Sequence, residues 1–232
     1  MFLNKIDINN YDHLNLGCGL KAHEKWLNVD GSWQVILAKH TIIKKILVIS
    51  RLLPKSQSKI PWKKNILRWN LTNKLPLSSN RFNAVYSSHT IEHLFYDESI
   101  ALLRECYRIL ADGGVLRVVV PDLFELTRKY LSEKEKGNLS AANKFMSDMG
   151  CHPQFFQKNI LAYYHRLTAF HTHKWMYDMD SLSELFIDAG FSEVQPKRAL
   201  DSRILRISEV EDPERINNGQ GIVVEGIKNA NV

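Results

Sequence analysis

Short runs of apolar residues alternate along the chain with longer segments in which apolar positions recur at helical spacing. The short runs predict strands over residues 12–16, 26–30, 65–70, 82–87, 115–120, 191–194, 203–207 and 221–228. The strand over residues 115–120 is predicted to be fully apolar. The longer segments predict helices over residues 35–53, 97–110, 123–131 and 181–189, with Asp112-Gly113-Gly114 ending the second of them. Strands that alternate with helices in this way are typical of an α/β fold, in which a mostly parallel sheet is covered by helices on both faces.

The first predicted strand runs directly into a glycine-rich turn. It reads His13-Leu14-Asn15-Leu16-Gly17-Cys18-Gly19, and an extended Trp26-Leu27-Asn28-Val29-Asp30 follows. Glycines let a backbone approach a ligand closely, and an acidic residue at the end of the next strand can accept hydrogen bonds from two ribose hydroxyls. Ten residues separate Gly19 from Asp30, which is too few for an ordinary crossover helix. We therefore expect a shortened helix or a loop at this crossover.

The composition is that of an ordinary globular protein. The 232 residues are 44 % hydrophobic and 24 % charged, which predicts a single domain over residues 1–232 with a full core. The three cysteines are scattered and form neither a CxxC pair nor a disulfide framework, so we expect a reducing compartment. The N-terminal residues lack the apolar segment of a signal peptide, and no run of 18 or more uncharged apolar residues is present. These features predict a cytoplasmic protein.

The net charge of +6 comes from one segment of the chain. No acidic residue lies between Asp30 and Glu92, whereas this interval contains 11 of the 31 Lys and Arg residues, leaving 20 of them against all 25 acidic residues elsewhere. Such a segment can attract phosphate groups, anionic lipid or nucleic acid, or it can be a solvated basic face. Residues 33–64 are predicted as a basic helical insertion within it. Three interpretations stay open: a lid over the active site, a helix on a membrane surface, or an ordinary packed helix.

An ordered series of motifs carries a family resemblance over about residues 12–192. The series consists of Leu14-Asn15-Leu16-Gly17-Cys18-Gly19, Trp26-Leu27-Asn28-Val29-Asp30, Asn70-Leu71, Leu75-Pro76-Leu77, residues 82–94, residues 103–110, Gly113-Gly114-Val115-Leu116, Val120-Pro121-Asp122-Leu123 and Ala189-Gly190-Phe191. Each motif is weak alone, but the set in this order resembles the class I S-adenosylmethionine-dependent methyltransferases. More narrowly, the chain is similar to the small bacterial methyltransferases associated with surface-polysaccharide biosynthesis.

The resemblance implies a Rossmann-like, seven-stranded, mostly parallel sheet with S-adenosyl-L-methionine at the carboxyl ends of its first strands. Gly17 and Gly19 would line the methionine and ribose portion of the cofactor, and Asp30 would hold the ribose hydroxyls. Asn70 and Leu71 would flank the adenine. The full set of implied cofactor-binding residues is Asn15, Gly17, Cys18, Gly19, Asp30, Asn70, Leu71, Ser87, Ser88 and His89.

Three asparagines, Asn15, Asn70 and Asn83, stand where many members of the family have aspartate. An asparagine oxygen can still accept a hydrogen bond from the adenine amine, but it carries no charge. These departures keep a second hypothesis open, in which a degenerate fold binds the cofactor or a partner without turnover. Both glycines of the turn, Gly17 and Gly19, are present and favour the enzyme instead.

Methyl transfer to a hydroxyl requires an aligned acceptor and a general base. The resemblance places the end of the fourth strand beside the sulfonium, so histidines and carboxylates near the strand ends are the candidate bases: His89, Glu92, His93, Asp122, His171 and His173. We select His89, His173 and Asp122 as catalytic candidates. His93 is interpreted as a buried structural histidine.

The spacing of His89, Glu92 and His93 also suits a metal ion, because the two histidines are one helical turn apart. The sequence places no third ligand beside them. We therefore expect no metal.

Residues 123–180 are predicted as a helical insertion that binds the acceptor. Within them, residues 165–175 are dense in aromatic, histidine and arginine side chains, which suit a sugar or a phosphorylated glycan. The leading hypothesis is an O-methyltransferase that acts on a sugar or lipid-linked glycan at the cytoplasmic face of a membrane. Nucleic-acid methylation is disfavoured, because Ser87-Ser88-His89-Thr90 stands where such enzymes have a Pro-Pro-aromatic or Pro-Cys motif.

Overall fold

The computed structural model of the chain describes residues 6–50, 53, 58–151 and 172–229. Its strands are β1 (His13–Leu16), β2 (Leu27–Asp30), β3 (Ile66–Arg68), β4 (Phe82–Ser88), β5 (Leu110–Pro121), β6 (Ser192–Pro196) and β7 (Gly221–Ile227). Its α-helices are α1 (Gln34–Lys39), α2 (Thr41–Ile49), α3 (Tyr96–Ile109), α4 (Leu123–Glu135), α5 (Ala141–Asp148) and α6 (Met179–Asp188). Short 3-10 turns include Ile91–His93 and Ile207–Glu209. The predicted alternation of strands and helices is confirmed.

The seven strands form one sheet in the order β3-β2-β1-β4-β5-β7-β6. The first five strands in this order run parallel, and β7 runs antiparallel to both β5 and β6. Leu16 pairs with Val29 on one side and with Ser87 on the other, so the carboxyl ends of β1, β2 and β4 meet at one edge of the sheet. Residues 17–26 form turns without a helix, as the short crossover predicted.

The sheet is buried on both faces. One face packs against α3 and α6 through apolar side chains such as Leu103, Ile109 and Phe186. On the other face, Trp26, Ala84 and Val119 belong to a cluster completed by Ile204, Ile207, Val210 and Ile216. The segment after β6 therefore covers the sheet in this part, with 3-10 turns rather than a regular helix. No helix in the described part of the chain is long and apolar enough to span a bilayer.

The prediction of an apolar β5 is wrong at Arg117. This side chain is fully buried, and its guanidinium donates hydrogen bonds to both carboxylate oxygens of Glu211, at 2.6 and 2.8 Å, and to Glu225 Oε1 at 2.9 Å. Two more hydrogen bonds go to the backbone carbonyls of Asp201 and Arg198. A buried charge is tolerated only when it is paired and hydrogen-bonded, and this network satisfies Arg117 in full.

Three further predictions are corrected by the structure. The helix predicted over residues 35–53 is two helices, because His40 leaves helical geometry at φ −116° and ψ 73° between α1 and α2. Asp112-Gly113-Gly114 does not end α3, which stops at Ile109; these residues lie in the first part of β5, where pairing with β4 shifts register. Residues 203–207 form turns rather than a strand. The helix α5 lies within residues 123–180, the predicted helical insertion, although its bounds were not predicted.

Candidate active site

The turn after β1 has a backbone that only glycine adopts without strain. Gly17 and Gly19 have φ angles of +62° and +49°. The Gly17 N–H donates to the Val29 carbonyl at 2.8 Å, which ties the turn to the end of β2. A Cβ on Gly17 would lie 2.0 Å from Oγ1 of Thr90, so a side chain at position 17 is excluded sterically as well.

Asp30 ends β2 and faces the same turn. Its Oδ2 accepts the Gly19 N–H at 2.8 Å, and its Oδ1 accepts the Ser32 N–H at 2.7 Å. The carboxylate is buried, and the two amides fix its orientation. A carboxylate has about four lone-pair directions, so each oxygen retains the capacity to accept a further donor such as a ribose hydroxyl.

Residues 17–26 contain no helix, and side-chain hydrogen bonds from Asn15 and Asn28 stabilise their turns instead. Asn28 is fully buried; its amide donates to the carbonyls of His23 and Trp26, and its Oδ1 accepts the His23 N–H at 3.0 Å. Asn15 donates to the carbonyl of Lys21 at 3.2 Å. An aspartate at position 28 has no N–H to give to two carbonyls, which explains why an amide is required there. The role of Asn28 was missed from the sequence, where it was only part of a strand motif.

The end of β3 lies next to Asp30. The Trp69 N–H donates to the Asp30 carbonyl at 3.1 Å, and Leu71 packs into the core. Asn70 is exposed, and its Oδ1 accepts the Thr72 N–H at 3.2 Å. Asn70 and Leu71 thus follow the strand beside β2, at the edge of the sheet where the resemblance placed the adenine.

The end of β4 carries buried hydroxyls. Both Oγ atoms of Ser87 and Ser88 are buried; that of Ser87 has no hydrogen-bond partner among the described residues, and that of Ser88 lies beside the Tyr86 hydroxyl. His89, which follows, has a φ of +49°, and its N–H donates to the Val119 carbonyl at 2.9 Å. A non-glycine residue in this left-handed region is strained, and such strain is concentrated at functional sites.

A small cavity, with space for about one water molecule, lies between the ends of β1 and β4. Its lining includes Asn15, Gly17, Cys18, Ser88 and, from the segment after β6, Asp212 and Arg215. Lys21 pairs with Asp212 across it, Nζ to Oδ2, at 2.9 Å. Burial raises the pKa of the Cys18 thiol, so Cys18 lines this cavity as an uncharged side chain. The sequence resemblance extends to residues 203–228, including Arg215, without assigning them a role, and their contribution to the cavity was not predicted.

Four titratable side chains gather just beyond β4. His89 Nδ1 lies 3.2 Å from Glu92 Oε1, and Glu92 is fully buried in the turn Ile91–His93. The Glu92 carbonyl accepts the Lys174 N–H at 2.7 Å, which brings the segment that contains His173 onto this turn. The rings of His93 and His173 then meet edge to face, with centroids 4.9 Å apart. The structure therefore brings His89 and His173 to one cluster with Glu92 and His93.

His173 is held tightly by its surroundings. The backbone N–H of His173 donates to the Gly150 carbonyl at 3.0 Å. The imidazole ring lies 2.7 Å from the position that a Cβ on Gly150 would occupy. Burial lowers the pKa of His173, and the nearby Glu92 carboxylate opposes this shift. A histidine with a lowered pKa is neutral at pH 7 and can accept a proton or a metal ion.

Asp122 stands apart from this cluster in its contacts. Its carboxylate caps α4 by accepting the Phe124 N–H at 2.9 Å, and its backbone pairs with Tyr177. No contact among the described residues joins the Asp122 side chain to His89 or His173. An N-cap accounts for an aspartate at this position. His171 and residues 165–170 lie outside the described residues.

A known protein family matches the part of the chain that contains these residues. Residues 14–118 match the family described as a methyltransferase domain, a segment that contains the glycine turn, Asp30 and the end of β4. Residues 14–118 therefore belong to a methyltransferase domain of the S-adenosylmethionine-dependent kind. No match was found among curated proteins.

Several solved structures are similar at low identity. A possible histamine N-methyltransferase from Thermotoga maritima is 19 % identical, with a TM-score of 0.46, over 93 % of this chain and 81 % of that one. An Archaeoglobus fulgidus SAM-dependent methyltransferase is 15 % identical, with a TM-score of 0.48, over 93 % and 85 %. A putative methyltransferase from Haloferax volcanii, in complex with the Trm112 methyltransferase activator, is 14 % identical, with a TM-score of 0.47, over 97 % and 84 %. At these values we draw no functional conclusion from the likeness.

S-adenosylmethionine is the cofactor of the methyltransferase domain, and the residues at the sheet edge fit it. The glycine turn leaves backbone exposed to a ligand beside the cavity, and Asp30 offers a fixed carboxylate. The buried Oγ atom of Ser87 lacks a partner in the described structure, as expected of a group that a ligand would satisfy.

Proposed function

We propose that the methyltransferase domain transfers its methyl group to a hydroxyl of a sugar or lipid-linked glycan, with His89 as the general base. The observation that carries this proposal is the placement of His89. It follows β4 directly, its Nε2 is buried without a hydrogen-bond partner among the described residues, and its Nδ1 lies beside the Glu92 carboxylate. A carboxylate at Nδ1 favours a proton on that nitrogen, which leaves Nε2 as the proton acceptor.

The cofactor-binding residues follow from the same sheet edge. Asp30 would accept hydrogen bonds from the ribose hydroxyls, and Gly17 and Gly19 would let the backbone contact the amino-acid portion. Asn15, Cys18, Ser87 and Ser88 line or adjoin the cavity, and Asn70 with Leu71 would flank the adenine. The cofactor supplies an electrophilic methyl group on a sulfonium.

In the proposed reaction the acceptor oxygen forms a bond to the methyl carbon while the bond from carbon to sulfur breaks. The hydroxyl proton passes to His89 Nε2, and the sulfur leaves as a neutral thioether. General-base catalysis of this kind typically contributes a factor of about 10²–10⁴ in rate. The remaining acceleration would come from alignment of the two reactants in the closed site.

The exposed face of α2 supports an acceptor at a membrane surface. This helix has no buried residue, and Ile42, Ile46 and Ile49 are 73 %, 58 % and 81 % exposed. Lys44 and Lys45 lie on the same helix, within the interval that lacks acidic residues. Exposed apolar residues beside lysines are typical of helices that lie in the interface of an anionic membrane. Of the three interpretations of residues 33–64, we therefore favour the membrane-surface helix for α2, residues 41–49.

The experiment that tests the proposal measures methyl transfer from labelled S-adenosylmethionine to a panel of nucleotide sugars and polyprenyl-linked saccharides. We expect a product methylated on oxygen, and a His89→Gln variant with a kcat lowered about 10²–10⁴-fold. His13→Gln is the matched control, because His13 is the first residue of β1 and so lies at the end of that strand opposite the glycine turn.

Binding of S-adenosylhomocysteine by His89→Gln is measured beside activity, because His89 also belongs to the implied cofactor-binding set; a loss of kcat much larger than the loss of affinity assigns His89 to proton transfer. An acceptor methylated on nitrogen or carbon, or a His89→Gln variant with full activity, would contradict the proposal. Cofactor binding with no turnover on any acceptor would favour the degenerate binding module.

A further inference from the structure

Glu92, His93 and His173 form a compact set of potential metal ligands. One carboxylate oxygen and one ring nitrogen from each histidine all lie within 4.8 Å of one another. Two of the residues are neighbours in the turn Ile91–His93, and the third arrives from a segment about 80 positions later in the chain. The backbone N–H of Lys174 donates to the Glu92 carbonyl at 2.7 Å, and this hydrogen bond holds that segment against the turn.

The polar atoms of this set lack partners that their burial demands. Both carboxylate oxygens of Glu92 are buried and make no hydrogen bond with ideal geometry among the described residues, and the nearest titratable group is His89, whose Nδ1 lies 3.2 Å from Oε1. Glu92 is fully buried, and a buried carboxylate needs a compensating charge. Lys174 does not supply it, because its Nζ lies over the Phe95 ring and 4.0 Å from Glu98 Oε2. His89, 3.2 Å from Glu92 Oε1, would supply it only in its protonated form, which could not act as the proposed base.

The tautomer of His93 is set by its own hydrogen bond. Its Nδ1 lies 3.3 Å from the carbonyl oxygen of Thr172, and a carbonyl can only accept. Nδ1 therefore carries the proton, and the lone pair of Nε2 remains available. Metal-binding histidines typically donate their second ring N–H to a backbone carbonyl in this way.

We propose that Glu92, His93 and His173 bind a first-row divalent cation of the zinc type. Two imidazoles and one carboxylate are the ligands that Zn²⁺ accepts when one position stays open, and Mg²⁺ and Ca²⁺ prefer oxygen alone. Ligands at about 2.0–2.1 Å from a tetrahedral ion lie about 3.4 Å apart, so small rotations of the three side chains close the site. The expectation of no metal assumed that no third ligand was near, and His173 supplies one.

The position of the ion gives it a role at the site of methyl transfer. Glu92 joins the cluster to His89, at 3.2 Å. An acceptor hydroxyl at the open coordination position would lose its proton more readily, as metal-bound water does. This role rests on the proposed function, whereas binding of the ion does not.

The test is a measurement of bound metal on the full chain. The protein is stripped with a chelator, exchanged into clean buffer, and titrated calorimetrically with ZnCl₂. In parallel, CoCl₂ is added and the visible absorption of tetrahedral Co²⁺ is recorded. We expect one equivalent of metal and, after addition, a higher melting temperature. A folded wild-type protein that binds no stoichiometric metal would overturn the proposal.

Two variants locate the site. We expect Glu92→Gln and His173→Ala each to weaken Zn²⁺ binding at least tenfold, which is about 1.4 kcal/mol. His13→Gln is the control, because His13 and Asp12 form a His-carboxylate pair, 2.7 Å apart, at the start of β1 and not at its carboxyl end. Each variant is first shown to be folded by its binding of S-adenosylhomocysteine. Unchanged Zn²⁺ affinity in a folded Glu92→Gln or His173→Ala variant would overturn the assignment.

Activity is not needed as a readout. One equivalent of bound metal with no hydroxyl acceptor found would support the metal site and contradict the proposed function. Methyl transfer to a hydroxyl by a folded protein that binds no added metal would support the proposed function and overturn the metal site.

Discussion

Gly17 and Thr90 lie so close together that a Cβ on Gly17 would be 2.0 Å from Thr90 Oγ1 and 2.9 Å from Thr90 Cβ. Gly19, two residues later, has a similar positive φ but open space around it. We therefore expect Gly17→Ala to lose more stability than Gly19→Ala. Backbone strain costs each variant about 1–2 kcal/mol, and overpacking adds about 1–3 kcal/mol for Gly17→Ala alone. Urea denaturation measures both.

A double variant separates the two causes. The Thr90→Gly change removes the side chain that clashes with a Cβ at position 17. The free energy of unfolding of Gly17→Ala/Thr90→Gly should therefore be close to that of the double variant Gly19→Ala/Thr90→Gly. Equal losses for the two single alanine variants would show that the contact between positions 17 and 90 is not as close as described.

The buried Arg117 network makes a second prediction. Arg117→Met leaves the carboxylates of Glu211 and Glu225 buried without their partner, and breaking such a pair costs about 3–5 kcal/mol. Guanidinium denaturation should show this as a lower midpoint. The control is Arg128→Met, which removes an exposed pair with Glu125 and should leave the midpoint unchanged.

The triple change Arg117→Met/Glu211→Gln/Glu225→Gln should recover part of the loss, because no uncompensated charge remains. If Arg117→Met were as stable as the wild-type protein, the network would contribute packing only, and its charges would not matter.

The exposed isoleucines of α2 make a third prediction, on membrane binding. The full-length protein should float with liposomes that contain anionic lipid, and the variant Ile42→Ser/Ile46→Ser/Ile49→Ser should remain in the soluble fraction. High salt should weaken the binding of the wild-type protein, because the neighbouring lysines contribute electrostatically.

Exposed apolar residues elsewhere provide the control. Ile187 is 61 % exposed and Leu205 is 98 % exposed, and both lie outside the basic segment. Ile187→Ser and Leu205→Ser should float as the wild type does. A wild-type protein that stays soluble with anionic liposomes at low salt would exclude the membrane role.

The strands and the cofactor turn were predictable because their signals are local. The apolar runs of β1, β4 and β7 stand out in the sequence, and a glycine turn followed by Asp30 has a direct backbone reason. The short spacing from Gly19 to Asp30 predicted correctly that no ordinary helix would fit there.

Errors arose where contacts between distant segments decide the structure. Arg117 can sit in a buried strand only because Glu211 and Glu225 reach it from about 100 residues away. His173 also comes from a distant segment of the chain to join Glu92 and His93. The spacing of metal ligands within residues 89–93 could therefore not reveal it. The break at His40 between α1 and α2 has no helix-breaking glycine or proline to mark it.

The most direct test of the account is calorimetric titration of S-adenosylhomocysteine into the wild-type protein and into Asp30→Ala. Asp30 is held by the amides of Gly19 and Ser32 at the sheet edge where the cofactor would lie. We predict micromolar binding to the wild type and an affinity at least tenfold weaker in the variant, about 1.4 kcal/mol. Asp12→Ala, at the other end of β1, should bind as the wild type does. Equal binding by Asp30→Ala, or no binding by the folded wild-type protein, would contradict the cofactor site described here.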